Sequence, residues 1–205
     1  MKRCIMECIG TFFLTLVIGL TGNPLAIGLM LMAMIYIGGS VSGAHFNPAI
    51  SLVAFLEKRL TRKKLFLYWL SQVVGACVAL CLFMVITNNM FIPEMTPGSS
   101  IIISGSIEAL FTMVFCWVYL IISTERRYIE SSLQGIVIGL TLMAVAFVGG
   151  LFNPAVVGGS IICNAVKNHA LIDVASVVVY VISPLLGGLL ASCAFNCFNA
   201  EANNR

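Results

Sequence analysis

Long apolar runs separated by short polar gaps make up almost the whole chain. Six runs approach or exceed the ~20 residues that cross a ~30 Å hydrocarbon core as a helix. They are residues 4–20, 25–41, 65–86, 99–122, 133–148 and 171–195. The gaps carry Gly, Pro, Asn and charged residues, which end helices. The pattern predicts an all-α membrane protein with six transmembrane helices.

Two further apolar stretches are too short to cross, and both begin with Asn-Pro-Ala. One starts at Asn47 and the other at Asn153. Asn is a preferred helix N-cap, and Pro is favoured at the first helical position. We therefore predict two half-helices, over residues 48–57 and 154–166, each ~15 Å long. Each would reach about the middle of the membrane.

The two halves of the sequence repeat one another. Each half has three apolar runs and one Asn-Pro-Ala segment, and a glutamate lies in the first run of each, at Glu7 and Glu108. Because three is odd, the second half must be inserted upside down relative to the first. We predict a single domain over residues 1–205, built from inverted repeats over 1–97 and 98–205, whose half-helices enter from opposite faces.

Composition excludes an ordinary soluble domain, because 60% of the 205 residues are apolar and 9% are charged, where about a quarter is typical. With six spans and two half-helices, ten of the eleven Lys and Arg residues fall on one side, and only Lys167 on the other. Cytoplasmic loops carry such an excess. We expect both termini to be cytoplasmic, and the basic loops favour a bacterial inner membrane.

The eight cysteines lie inside apolar runs rather than in loops that would carry a disulfide framework. Three pairs are four residues apart on one helix face: Cys4 and Cys8, Cys77 and Cys81, Cys193 and Cys197. Such a face would suit a soft metal, but small residues at helix contacts are the simpler interpretation. We expect no metal and no cofactor. No nucleophile is spaced with a base, so an enzyme is not predicted.

Irregular backbone at membrane depth is tolerated only where protein buries it or water reaches it. Residues 42–46 and 149–152 would therefore line an aqueous path with carbonyl oxygens. At its centre two positive helix ends meet, and the amides of Asn47 and Asn153 offer N–H donors. A water that accepts from both amides relays no proton, and the positive ends repel cations. A passive pore for water and other small uncharged molecules is predicted.

The duplicated Asn-Pro-Ala, the preceding residues 42–46 (Ser-Gly-Ala-His-Phe) and the two repeated glutamates resemble the aquaporin, or major intrinsic protein, family over essentially the whole chain. The resemblance implies six tilted helices and two half-helices around a pore, in a homotetramer with one pore per subunit. It also implies that Glu7 and Glu108 accept hydrogen bonds from the re-entrant backbone, and that His45 lines the cytoplasmic pore mouth. The implied central pore residues are Asn47, Pro48, Ala49, Asn153, Pro154 and Ala155.

One position departs from the family. Water-selective members usually carry Arg directly after the second Asn-Pro-Ala, and this chain has Val156. Family spacing gives Ile27, Ala146 and Gly150 as the other positions of the selectivity filter. None of the four has a side-chain donor. We expect a wider, more apolar mouth that admits glycerol, ammonia or hydrogen peroxide as well as water.

Two other functions stay open from the residues alone. Inverted repeats and broken helices also build secondary transporters of small solutes, and a carboxylate inside a span, such as Glu7 or Glu108, is a candidate for coupling. A membrane protein of the same fold with a closed pore would have a structural role. Solute accumulation under a pH gradient distinguishes the first from a passive channel, and absence of any permeability identifies the second.

Overall fold

A computed structural model describes residues 1–93, 95, 98–125, 128, 132–168 and 174–203, with side chains to residue 198. The helices, numbered in chain order, are α1 Lys2–Thr21, α2 Pro24–Ser42, α3 Pro48–Leu56, α4 Arg62–Thr87, α5 Ile101–Thr124, α6 Gln134–Ala146, α7 Pro154–Asn168 and α8 Val174–Val177, followed by a π-helical turn Val178–Ile182 and α9 Ser183–Asn203. The predicted all-α fold is confirmed.

Five helical stretches in the described part of the chain are long and apolar enough to cross a membrane. They are α1, α2, α4, α5 and the continuous stretch from α8 into α9 over 174–198. The remaining predicted span, 133–148, corresponds to α6, whose 13 residues extend only ~20 Å. Helix α6 stops early because the chain turns back: the Gly149 N–H donates to the Ala146 carbonyl, and Gly149 has φ of 87°.

Both half-helices are present. Helix α3 has 9 residues and α7 has 15, or ~14 and ~22 Å. The first ends one residue before the predicted boundary, and the second continues two residues beyond it, through Lys167. At the start of each, the Asn side chain caps the helix: Asn47 Oδ1 accepts from the Ala49 N–H at 2.8 Å, and Asn153 Oδ1 from the Ala155 N–H at 3.1 Å.

The packing of the helices follows the repeat. In the first half α1 packs on α4, and in the second the corresponding helices α5 and α9 pack together. Across the two halves α2 packs on α6, where a Cβ added at Gly28 would lie 2.6 Å from the Gly139 carbonyl oxygen and one at Gly139 would lie 2.7 Å from that of Gly28. Small residues thus let the central helices approach closely.

The outside of the bundle is apolar. Large hydrophobic side chains at least two-fifths exposed occur on most long helices, among them Phe13, Leu29, Val78, Leu110 and Leu189. Soluble monomers rarely leave so much contiguous apolar surface in water. The polar and charged side chains Glu7, Gln72 and Glu108 are instead buried inside. This inversion fits a protein that is embedded in lipid.

Candidate pore

The two Asn-Pro-Ala segments meet in the interior and bind each other reciprocally. Asn47 Nδ2 donates to the Phe152 carbonyl oxygen at 2.7 Å, and Asn153 Nδ2 donates to the Phe46 carbonyl oxygen at 3.0 Å. Each carboxamide nitrogen carries two N–H groups, so this cross-bracing uses one and leaves the other. Asn47 is 3% and Asn153 2% exposed, and both line a central cavity.

The residue before each Asn is held in a rare conformation. Phe46 has φ of 51° and Phe152 has φ of 49°, a left-handed region that bulky residues seldom adopt. Both rings are completely buried, which holds the strained turns in place. Because these two phenylalanines supply the carbonyls that accept from the asparagines, the left-handed turn positions the acceptors for the cross-bracing.

Glu7 holds the first re-entrant segment. Its Oε1 accepts from the His45 N–H at 3.0 Å and from the Ser42 hydroxyl at 2.6 Å. Its Oε2 accepts from the Phe46 N–H at 2.7 Å and from Gln72 Nε2 at 2.8 Å. Four donors therefore surround one buried carboxylate, which compensates the cost of keeping it out of water.

Glu108 holds the second segment in the same way with fewer partners. Its Oε1 accepts from the Leu151 N–H at 2.7 Å and its Oε2 from the Phe152 N–H at 2.8 Å. A Cβ added at Gly150 would lie 2.8 Å from Glu108 Oε1 and 2.5 Å from the Phe152 ring. The close approach of the carboxylate to the loop therefore requires glycine at this position.

The polar partners of the first segment were not predicted from the sequence. Gln72 on α4 donates both to Glu7 and to the Ser51 hydroxyl, at 2.8 and 2.9 Å. Ser51 also contacts His45 Nδ1 at 3.0 Å. Gln72 and Ser51 are both completely buried polar residues on otherwise apolar helix faces. That isolation in an apolar run is the signal that would have singled out Gln72.

His45 lies between two cavities. It lines the central cavity and also a vestibule of about 320 Å³ that contains Arg3 and Arg59. Its ring packs edge-on against Tyr68 and Tyr119, with centroids 5.3 and 5.7 Å away. These contacts and the bond to Ser51 fix the imidazole at the junction. The basic side chains place this vestibule on the face predicted to be cytoplasmic.

The central cavity is narrow and mostly apolar. Its volume of about 30 Å³ suffices for very few water molecules. The polar side chains that line it are His45, Asn47 and Asn153, and its apolar walls come from α1, α2, α5 and α6, with residues such as Leu14, Ile18, Leu31, Phe115 and Leu142. A polar strip facing an apolar wall favours passage of small molecules in single file.

Three of the four predicted filter residues line this cavity, namely Ile27, Ala146 and Gly150. Val156 does not. It has 0% exposure and belongs to the main apolar core. Its isopropyl side chain, on the first turn of α7, packs into that core. Burial alone does not decide the filter role, because Ile27 belongs to the same buried core and still lines the cavity, so the filter position of Val156 stays a prediction.

A third cavity borders the central one on the side of the second re-entrant segment. It measures about 450 Å³ and shares Gly150 and Leu151 with the central cavity. Glu108 and Tyr180 also border it. Two vestibules thus flank one constriction, and His45 and Gly150 mark its two ends.

Two further sets of residues from the sequence analysis are the arginines of the charge asymmetry and the candidate metal ligands. Arg126, Arg127 and Arg205, which contribute to the predicted charge asymmetry, lie outside the described residues. Within the described ranges no three His, Cys, Asp or Glu side chains are grouped as metal ligands would be. The eight cysteines are free thiols.

Comparison with known proteins identifies the class. The family model described as Major intrinsic protein matches residues 15–195, and the chain belongs to this family. The family resemblance drawn from the repeated motifs is therefore confirmed. It is a family of membrane channels.

Individual relatives are similar over most of the chain. An aquaglyceroporin of Toxoplasma gondii is 30% identical over 175 residues, which are 84% of this chain and 66% of that protein. Aquaporin TIP1-2 of Musa acuminata is 27% identical over 187 residues, 87% of this chain and 71% of that one. The X-ray structure of the aquaglyceroporin from Plasmodium falciparum aligns with a TM-score of 0.81 at 23% identity, covering 95% of this chain and 94% of that one. This confirms the predicted fold of transmembrane helices and re-entrant half-helices in an inverted repeat.

Proposed function

We propose that this protein is a passive channel through which water and small uncharged solutes such as glycerol cross the membrane down their gradients. The observation that carries the proposal is the reciprocal bonding of Asn47 and Asn153 at the wall of the central cavity. Each amide keeps one N–H group for a passing molecule. The names of the relatives, aquaporin and aquaglyceroporin, support the same cargo.

Exclusion of protons and ions follows from the same geometry. Helices α3 and α7 direct their N-termini, each with about half a positive charge, towards the cavity wall at Asn47 and Asn153. A water that accepts from both amides points its own hydrogens away along the pore, so no proton is relayed through it. Cations meet two positive helix ends in an otherwise apolar constriction.

The apolar filter sets the solute range. We propose Ile27, Ala146 and Gly150, which line the central cavity, as residues that border the opening, and keep Val156 as the fourth predicted filter position. These three offer no side-chain donor, so a solute is selected by size and by its ability to shed water. A three-carbon polyol has an apolar edge for this wall and hydroxyls for the amides.

The two carboxylates argue against a coupled transporter. Glu7 and Glu108 each accept backbone N–H bonds with both oxygens. A carboxylate that took up and released a coupling proton would break these bonds at each cycle. We propose that both serve as fixed anchors of the re-entrant segments.

The proposed topology and assembly build on membership of the family. We propose inverted repeats over 1–97 and 98–205, both termini in the cytoplasm, and a homotetramer with one pore in each subunit. The basic residues Arg3 and Arg59 beside the His45 vestibule support the orientation. The proposed location in a bacterial inner membrane is supported by the basic loops alone. The relatives named above come from eukaryotes.

A plug in the cavity tests the proposal. Leu142 lines the central cavity, and Leu140 on the same helix is exposed on the outside. We expect proteoliposomes with native protein or with Leu140→Trp to shrink faster than empty liposomes after an osmotic jump and to take up glycerol. Leu142→Trp should abolish both fluxes. Equal fluxes for the two Trp variants, or a native flux equal to that of empty liposomes, would refute the channel.

A further inference from the structure

Two cysteines that share no helix lie close together beside the second half-helix. Cys81 on α4 and Cys163 on α7 have their sulfur atoms 4.0 Å apart. Both are free thiols, and Cys81 is exposed while Cys163 is partly buried. The four-residue spacing within α4 pairs Cys81 with Cys77 on one helix face, so this contact between helices is absent from the sequence pattern.

The backbone contact one turn away holds the two sulfurs in register. A Cβ added at Gly159 would lie 2.8 Å from Ala76 Cβ and 3.0 Å from the Cys77 nitrogen, so α4 and α7 touch there without an intervening side chain. Cys163 lies four residues after Gly159, and Cys81 four after Cys77. Because residues four apart stack on one helix face, the close contact directs both thiols to the same gap.

The pair also lies towards one end of the bundle. Cys163 follows Asn153 by ten residues, which is ~15 Å along α7 from the middle of the membrane and close to the edge of a ~30 Å hydrocarbon core. Cys81 lies six residues before α4 ends at Thr87. Both are therefore near the face from which α7 enters, the one opposite Arg3 and Arg59 and proposed to be outside the cytoplasm.

We propose that Cys81 and Cys163 form a reversible disulfide that fastens the outer end of α7 to α4. With a peroxide as oxidant, the Cys81 sulfur attacks one peroxide oxygen, the O–O bond breaks, and a sulfenic acid and one water result. The Cys163 sulfur then attacks the Cys81 sulfur, the S–O bond breaks, and the hydroxide leaves as a second water. Two electrons pass from the two thiols to the peroxide, and the two thiol protons end in the waters.

Cys81 is the first to react because it is the more exposed of the two. The closure requires the sulfurs to approach from 4.0 Å to bonding distance at ~2 Å. Side-chain rotation and a small shift of the last turns of α7 supply that movement. The second Asn-Pro-Ala lies at the other end of α7, so the bond restrains the half-helix without touching the cavity. The inference does not depend on what the pore conducts.

Thiol counting tests the proposal on the whole protein in detergent. After mild hydrogen peroxide treatment and removal of the peroxide, we expect native protein to label with two fewer maleimides than reduced protein and to lose the mass of two hydrogens. Dithiothreitol should restore both. Cys81→Ser should retain its remaining thiols, Cys163→Ser should lose no more than the Cys81 thiol, as a sulfenic acid that gains one oxygen, and the matched variant Cys77→Ser should lose two thiols as the native protein does.

Peptide mapping of the native protein keeps the result independent of how the variants fold. A cross-linked peptide that contains residues 81 and 163, and a thermal unfolding midpoint raised by several degrees in the oxidised protein, support the bond. Unchanged labelling, a gain of oxygen mass without loss of two hydrogens, a disulfide between two copies, or loss of the bond in Cys77→Ser would overturn it.

Discussion

Replacing Glu108 by Gln tests whether the carboxylate anchors the second re-entrant segment. Both oxygens of Glu108 accept a backbone N–H, from Leu151 and Phe152, and Gln has one carbonyl oxygen. One buried N–H therefore faces an NH₂ group and is left without an acceptor, which costs about 1–3 kcal/mol. For a chain of this size, about 2–4 °C per kcal/mol gives a fall in the unfolding midpoint of about 2–12 °C.

Glu57 supplies the matched control. It also accepts two hydrogen bonds, from Ser192 and Asn196, but both go to the single oxygen Oε1. The carbonyl oxygen of a glutamine can keep both bonds. Thermal melts followed by helical circular dichroism in detergent should place Glu57→Gln near the native protein and Glu108→Gln well below it. Equal midpoints for the two variants would refute the anchoring role.

Two further changes act on the constriction. Gly150→Ala adds a Cβ that would lie 2.5 Å from the Phe152 ring, and such overpacking costs about 1–3 kcal/mol. We expect Gly150→Ala to have a lower melting midpoint and to give slower osmotic shrinkage of proteoliposomes. The control Gly39→Ala, which has open space at its Cβ, should behave as the native protein does. A Gly150→Ala variant that behaves as native would contradict the loop geometry. Ala146→Leu adds three carbons to the wall of a cavity of about 30 Å³ and should reduce glycerol uptake more than water flux. The neighbouring exposed Phe147→Leu should change neither, and equal loss of both fluxes in Ala146→Leu would argue against Ala146 as a filter residue.

Sequence patterns predict best where structure is decided locally. The half-helices begin where an Asn cap and a Pro at the first position dictate a start, and the spans follow from runs of apolar residues. Helix α6 ends before the predicted residue 148 because its turn is set by where the chain must return, not by hydropathy. The left-handed Phe46 and Phe152 likewise depend on the enclosing helices, since nothing local favours that conformation for phenylalanine.

The site is harder to predict because it is assembled from distant residues. The asparagines are evident from the repeat, but their carbonyl partners lie more than a hundred residues away. Gln72 and Ser51 are single polar residues within apolar helices, and only the fold brings them to Glu7 and His45. Val156 is assigned to the filter by family spacing alone, and its packing in the apolar core could not be read from that spacing.

Water flux through the Asn153→Asp variant tests most directly whether the two asparagines meet at the pore and donate to the passing molecule. Asp has the shape of Asn and keeps the oxygen that caps α7, but it presents an acceptor to the Phe46 carbonyl and to the passing molecule. A lost hydrogen bond of about 1 kcal/mol is roughly fivefold in rate.

Stopped-flow shrinkage, with a pH-sensitive dye inside the same vesicles, measures water and proton flux together. We predict that native vesicles shrink several times faster than empty ones with no added proton flux, and that Asn153→Asp slows shrinkage roughly fivefold or more. Native shrinkage equal to that of empty vesicles, or equal rates for native and Asn153→Asp, would contradict the account.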